Sequence, residues 1–286
     1  MEKLWSWAVR GSHFGGKTHE EIISICHYAN IASVEANVGW VINRSEEEIV
    51  AIKDKYQKNA LRLETFHLPN GLEGDICALY ETIREKAVQI QSKMIYNASL
   101  LGCRAVILHP TTTSYNVDKE GVDRYISQMS KSMEVLLEIA EKENVVIAIE
   151  NMLPGDDNNR FGSKPSHFKL FIERFSHPNC GFCLDTGHAH VSLGQEGPEK
   201  LFEVMSKRLV AVHLQDNAGY TDSHLAPGKG LINWKNIFQG MVKIKFKWAA
   251  TIEAPPFYYG PNYTHSKESW KQLITDTDNL VKESFS

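Results

Sequence analysis

Nine acidic and imidazole residues mark the ends of expected strands, most of them directly after a short apolar run: His67, His109, Glu150, Asp185, His188, His213, Asp222, His224 and Glu253. Carboxylates mixed with imidazoles suit Zn, Mn, Fe or Co, whereas all-oxygen sets suit Mg and Ca. Glu150, Asp185, His213 and Glu253 form a set of three carboxylates and one imidazole with room left for substrate oxygens. That mixture favours Mn²⁺ or another octahedral divalent ion, with Zn the other main candidate and Co, Fe or Mg as alternatives. His67, His109 and His188 add nitrogen, and the Asp222-x-His224 pair adds one donor of each kind. Nine donors exceed the needs of one ion and suit two or three clustered ions bridged by carboxylates.

The runs that carry these residues are LRLETFH, AVILH, VVIAIE, CLD, LVAVH and AATIE. Apolar runs of this length, bounded by polar residues, read as buried strands. A ligand-type residue after one strand is unremarkable, but after six it points to a site that all six approach. A (β/α)8 barrel gathers the carboxyl ends of its parallel strands at one mouth. Strand-like and helix-like segments alternate along the whole chain, as that fold requires. The expected strands are 4–8, 32–36, one ending at Phe66, 104–108, 145–149, 181–184, the LVAVH run and the AATIE run. Helices are expected over 18–29, 45–58 with Ser45 as N-cap, 75–101, about 119–143, within PSHFKLFIERF, over 198–206, within INWKNIFQGMVKI and over 266–283. No Gly-rich phosphate loop follows the first strand, which argues against a doubly wound open sheet. The expectation is one TIM barrel domain over residues 1–286, with polar loops at 71–74 and 155–163 on the catalytic side.

Some residues read as structural. His13 and His190 are taken as hydrogen-bonded histidines, and Glu35 as either a supporting acid or a polar loop residue. Cys180 and Cys183 form a lone CxxC and read as two buried cysteines on one strand. The Asn-x-Ser/Thr triplets at Asn43, Asn97 and Asn262 have no meaning without secretion. The formal net charge of −4 and pI near 6.3 leave no electrostatic footprint for nucleic acid. No apolar run reaches the length of a membrane span, and the first residues carry too short an apolar stretch for a signal peptide. Five cysteines, an odd number, argue against a disulfide framework, so a reducing cytoplasm is expected. A homo-oligomer is compatible with the sequence.

The stretches AVILHP, VVIAIENM, CLDTGHAH, AVHLQDNAGYTDSHLAPGKGLINW and TIEAP resemble the xylose-isomerase-like barrel superfamily, in order and spacing over nearly the whole chain. That superfamily holds sugar (phosphate) isomerases and epimerases and the endonuclease IV family of AP endonucleases. In the isomerase branch the resemblance makes Glu150, Asp185, His213 and Glu253 the ligands of one metal, with His188 facing the substrate. Glu150 and Glu253 would flank that substrate as an acid–base pair. In the endonuclease branch all nine residues would hold three zinc ions. Ser223 stands where that branch carries an Arg between the Asp and the His, and no Arg lies between His213 and Gly228, unlike the ketose 3-epimerases. The expected activity is therefore a metal-dependent sugar, sugar phosphate or inosose isomerase or epimerase; the alternative is a multinuclear zinc phosphoesterase. Lys229 and Trp7 are candidate substrate contacts with His188, and Phe66, Trp234 or Tyr258 could cover the apolar face of the sugar.

Overall fold

The computed structural model describes residues 4–112, 116–155, 159–259 and 266–286, except the side chains of 258 and 259. Eight parallel strands close into a barrel in sequence order: β1 (Trp7–Arg10), β2 (Ser33–Asn37), β3 (Thr65–His67), β4 (Ala105–Leu108), β5 (Val146–Glu150), β6 (Cys180–Asp185), β7 (Leu209–Leu214) and β8 (Ala250–Ile252). β1 pairs with both β2 and β8, which completes the ring. The helices between them are α1 (His19–Ala29), α2 (Glu46–Lys58), α3 (Glu81–Leu100), α4 (Val117–Glu120), α5 (Val122–Lys142), α6 (Pro165–Arg174), α7 (Thr186–Leu193), α8 (Gly197–Met205), α9 (Trp234–Lys243) and α10 (Lys267–Glu283). No helix among the described residues is long and apolar enough to cross a membrane.

Ser45 caps α2 as expected: its hydroxyl accepts from the Glu48 N–H while the Glu48 carboxylate reaches back to the Ser45 N–H. Thr18 and Glu21 do the same for α1. Three expectations shift. The long third helix begins at Glu81 rather than 75, because Asp75 accepts from the Cys77 N–H and the Thr111 hydroxyl and so holds its segment in a turn. The helix expected over 119–143 is interrupted at Gly121, whose φ of 88° lies outside helical space. The first strand runs 7–10 rather than 4–8.

That last shift matters, because side chains alternate along a strand with a period of two. Ile107, Ala148, Cys183 and Ala211 form a small cluster of their own inside the barrel. Val106, Leu108, Ile147, Ile149, Phe182, Leu184 and Val212 join the larger core between strands and helices. Two residues beyond each inward position stands a polar residue at or beside the strand end: His109, Glu150, Asp185 and His213. The same period puts Arg10, Glu35, His67 and Glu253 on the inner face of the other four strands. Lateral register aligns them, with Arg10 beside Glu35 and Asp185 beside His213.

Candidate metal centre and active site

At the carboxyl ends of the strands lies a cavity of about 260 Å³. Arg10, His67, His109, Glu150, His188, Asp222, His224 and Glu253 line it, and Asn70, Gly71, Thr112, Met152, Leu153 and Arg160 complete its wall. Asp185 and His213 are fully buried against those carboxylates. All nine ligand-type residues named from the sequence are thus gathered in one place.

They fall into three groups. Donor atoms of Glu150, Asp185, His213 and Glu253 lie within 4.8 Å of one another. His213 Nδ1 is 2.9 Å from Glu150 Oε1 and 2.5 Å from Glu253 Oε2. Donor atoms of His67, His109 and Glu150 form a second group within the same limit. Glu150 Oε2 is 2.9 Å from His109 Nε2 and 3.7 Å from His67 Nε2. The two oxygens of Glu150 therefore point into different groups, as a bridging carboxylate does. In the third group, Asp222 Oδ2 lies 3.4 Å from His188 Nε2 and 3.1 Å from His224 Nε2.

The outer nitrogens of these imidazoles are already committed. His67 Nδ1 donates to the Leu68 carbonyl at 2.9 Å, His188 Nδ1 to the Asn151 carbonyl at 2.9 Å, and His224 Nδ1 to the Glu253 carbonyl at 2.7 Å. His213 Nε2 donates to Glu35 Oε2 at 3.0 Å. A carbonyl can only accept, so the first three partners fix the proton on Nδ1 and leave Nε2 facing the cavity. Imidazoles oriented in this way by a carbonyl or carboxylate are the usual supporting arrangement around a metal. Asp185 Oδ2 is buried with no hydrogen-bond partner among the described residues. These observations fit a divalent cation, and Glu150, Asp185, His213 and Glu253 would hold it.

The electrostatics agree. Burial alone would raise the Glu150 carboxyl, but His213 and His109 outweigh it and hold it well below the ordinary value. Burial likewise opposes ionisation of Glu253, and Arg10 and His213 reverse the effect. Asp185 is pushed up to about 7, chiefly by burial, with His188 opposing and Glu253 and Glu150 reinforcing. His188 rises well above its ordinary value although burial opposes it, because Asp185, Asp222 and Glu150 surround it. Burial also opposes the charge on His224, but Asp222 and Glu253 carry it to about 9. The carboxylates thus draw positive charge to the imidazoles, and a divalent ion would supply that charge in the protons' place.

Local structure explains how some of these residues arrive. Asp185 ends β6 and also caps α7, its Oδ1 accepting from the His188 N–H at 2.6 Å. α7 was not foreseen in the sequence and is the element that aims His188. The loop after β7 carries Asp222 and His224. It is pinned by buried Asp216, which accepts from the N–H groups of Asn217, Gly228 and Ile232 and from the indole of Trp234.

Sequence reasoning missed Arg10. Its guanidinium is hydrogen-bonded to Glu253 and lies 3.5 Å from Glu35, and it lines the cavity. Glu35 proves to be a supporting acid, bound to His213 and to the Thr65 hydroxyl. Two proposed substrate contacts are corrected. Trp7 is buried outside the barrel, its indole N–H donating to Asp278, because strand parity turns it toward the helices. Lys229 pairs with Asp276 of α10 at 3.2 Å and does not line the cavity. Phe66 and Trp234 are likewise core residues, and the Tyr258 side chain lies outside the described residues, as do 156–158 of the 155–163 loop. His13 and His190 also stay off the cavity wall, but they are not the hydrogen-bonded surface residues expected: His190 is buried, and the Nδ1 of each is buried without a hydrogen-bond partner among the described residues; Cys180 and Cys183 are free and buried.

The profile of the xylose isomerase-like TIM barrel family matches residues 23–275. The chain belongs to that family. The chain is 28% identical over 210 residues to an uncharacterised protein of Methanocaldococcus jannaschii, MJ1311, covering 72% of this chain and 68% of that one. It is 26% identical over 161 residues to a probable endonuclease 4 of Mycoplasmopsis pulmonis, covering 53% and 56% respectively. With another uncharacterised relative, y4fM of Sinorhizobium fredii, 26% identical over 178 residues, the match covers 60% of this chain and only 54% of that protein. Among solved structures, a D-tagatose 3-epimerase-like protein superposes with a TM-score of 0.78 at 20% identity over 98% of this chain and 100% of that one. The IolI protein with a bound zinc atom gives 0.77 at 17% identity over 98% and 99%. These two likenesses establish the barrel architecture.

Proposed function

We propose that residues 1–286 act as one domain, a divalent-metal-dependent sugar isomerase or epimerase. Its reaction would move a proton at a carbon next to a carbonyl. The observation that carries this reading is the placement of Glu150 and Glu253, both on the wall of one small polar cavity and both sharing His213 Nδ1. A cavity of about 260 Å³ is at or below the range of ~300–1,000 Å³ usual for small-molecule sites, so it suits a compact metabolite. A bound divalent ion would supply Lewis acidity toward adjacent substrate oxygens. Glu150 and Glu253 are held ionised, and one takes the proton while the other returns it. Arg10 holds Glu253 in orientation from the strand beside it. His188 and His224 present Nε2 to the cavity, where they would hydrogen-bond substrate hydroxyls. The likeness to a D-tagatose 3-epimerase-like structure is consistent with this substrate class.

A second reading rests on a different observation. Glu150 is shared between two donor groups, and the Asp222 group adds a third, which favours a multinuclear zinc phosphoesterase. The endonuclease 4 relative points the same way. A chain of net charge −4 is poorly equipped for the phosphate contacts that DNA demands. The test gives Mn²⁺-loaded protein a panel of ketoses and inososes in D₂O, and Zn²⁺-loaded protein an abasic duplex. Deuterium entering one sugar supports the isomerase. Efficient nicking with no exchange reverses the ranking.

A further inference from the structure

Gln215 follows His213 by two residues and is completely buried. Its backbone is clamped by Thr186, whose hydroxyl donates to the Gln215 carbonyl at 2.7 Å and accepts from the Gln215 N–H at 3.1 Å. Its side chain lies against Gly187, where an added Cβ would sit 2.0 Å from Gln215 Oε1. The glycine of the DTGH stretch is thus required for close approach. From this pocket Nε2 donates to Asp222 Oδ1 at 2.6 Å and reaches Asp185 Oδ1 at 3.3 Å. Turned the other way, the amide would set its oxygen against two carboxylates. Its Oε1 is left without a hydrogen-bond partner among the described residues.

We infer that Gln215 is a positioning residue: its amide engages one oxygen of Asp185 and one of Asp222, turns the other oxygen of each toward the cavity, and so sets the affinity of the metal position nearest Asp222. The inference rests on the second reading above, in which the Asp222 group also holds an ion. Asp185 Oδ1 is occupied by Gln215 and the His188 N–H, which leaves Oδ2 unengaged. Asp222 Oδ1 is occupied by Gln215, which leaves Oδ2 facing both His188 and His224. The two carboxylates belong to different elements, one at the end of β6 and one in the loop after β7. One amide therefore ties a loop-borne donor to a strand-borne one. Asp222 is the donor that most needs this tie, since no strand fixes its rotamer.

The experiment titrates metal-stripped wild type, Gln215→Leu, Gln215→Met and Asp222→Ala with Zn²⁺. Native mass spectrometry counts the bound equivalents and chelator competition gives their affinities. Wild type should bind an equivalent that Asp222→Ala lacks. Both Gln215 variants should weaken that equivalent by about 10- to 100-fold, the usual cost of removing a supporting contact. The equivalents retained by Asp222→Ala should bind as in wild type, and thermal midpoints should not fall in parallel. The methionine variant keeps the side-chain length and removes the donor, so it serves if the leucine variant does not fold. Unchanged affinity of the Asp222-dependent equivalent, or equal weakening of every equivalent, overturns the inference alone. A wild type with no Asp222-dependent equivalent overturns it together with a metal at that position, and the deuterium test then stands separately.

Discussion

The two ends of the barrel set their carboxylates in opposite surroundings. Glu64, just before β3, meets Arg104 at 2.8 Å and Arg62 at 3.5 Å, two arginines more than half exposed. Arg104 also lies over the Trp248 ring, 4.2 Å from its centroid. The charge of Glu64 is met locally by these two arginines. At the other end, Glu35, Glu150, Asp185, Asp222 and Glu253 gather with Arg10, which binds Glu253 and lies beside Glu35. There the imidazoles must carry the missing positive charge. A buried acid with its own cations serves the fold, whereas acids that outnumber their cations call for charge from outside.

The same contrast holds for histidines. His167 on α6 is buried, with Asp118 the acid that acts on it, and it accepts from the Gly162 N–H through Nδ1. Burial, with Lys164 adding to it, pushes its imidazole down to about 4, whereas His224 among carboxylates rises to about 9.

The largest expected effect comes from breaking the acidic end. Glu150→Ala should lower turnover by ~10³-fold or more, since it removes a proton-transfer group and the donor common to two groups. Steady-state rates on the substrate found by deuterium exchange check this. Glu253→Gln should be nearly as inactive while keeping most of its metal, which separates the base role from the ligand role; elemental analysis of that variant reads the difference. Stripping metal with a chelator should lower the thermal midpoint by about 5 °C if the ion is present at ~100 times its Kd, equivalent to about 2.7 kcal/mol. Glu64→Gln should leave turnover within about twofold and cost about 1–3 kcal/mol in denaturant unfolding. If it instead abolished turnover, the division between the two ends would be wrong.

The smallest effect is a pH dependence. His167 has a folded value near 4 against about 6.5 when unfolded, so its neutral form is favoured by folding. Its contribution is fully present above pH 6.5 and is lost as pH falls from there to about 4, on the order of 1–3 kcal/mol. His167→Gln should flatten the stability curve in that window. An unchanged slope would show that the histidine is solvated.

The strand ends were legible because each apolar run stops at a charged or imidazole residue, and the period of two then fixes which side chains meet. Reading the first strand three residues early hid this at β1. It turned Trp7 toward the substrate and left Arg10 unread, although Arg10 follows the same parity as Glu150. Glu35 carried the right signal, but its role depends on His213 across the barrel, 178 positions away. α7 was invisible because its eight residues, TGHAHVSL, have no amphipathic stripe and depend on the Asp185 cap. Gln215 carries no charge, and its importance lies entirely in the carboxylates it reaches. Lys229 read as a substrate contact, but Asp276 on the last helix takes it.

The central claim is that the carboxyl end of this barrel is a divalent-metal centre. Elemental analysis of protein purified without chelator, then stripped and reloaded with Mn²⁺ or Zn²⁺, tests it most directly. About one ion or more per chain should be found in wild type, with a clear deficit in an Asp185→Ala, His213→Ala double variant that remains folded. A folded wild type that holds no ion and takes up neither Mn²⁺ nor Zn²⁺ would contradict the account.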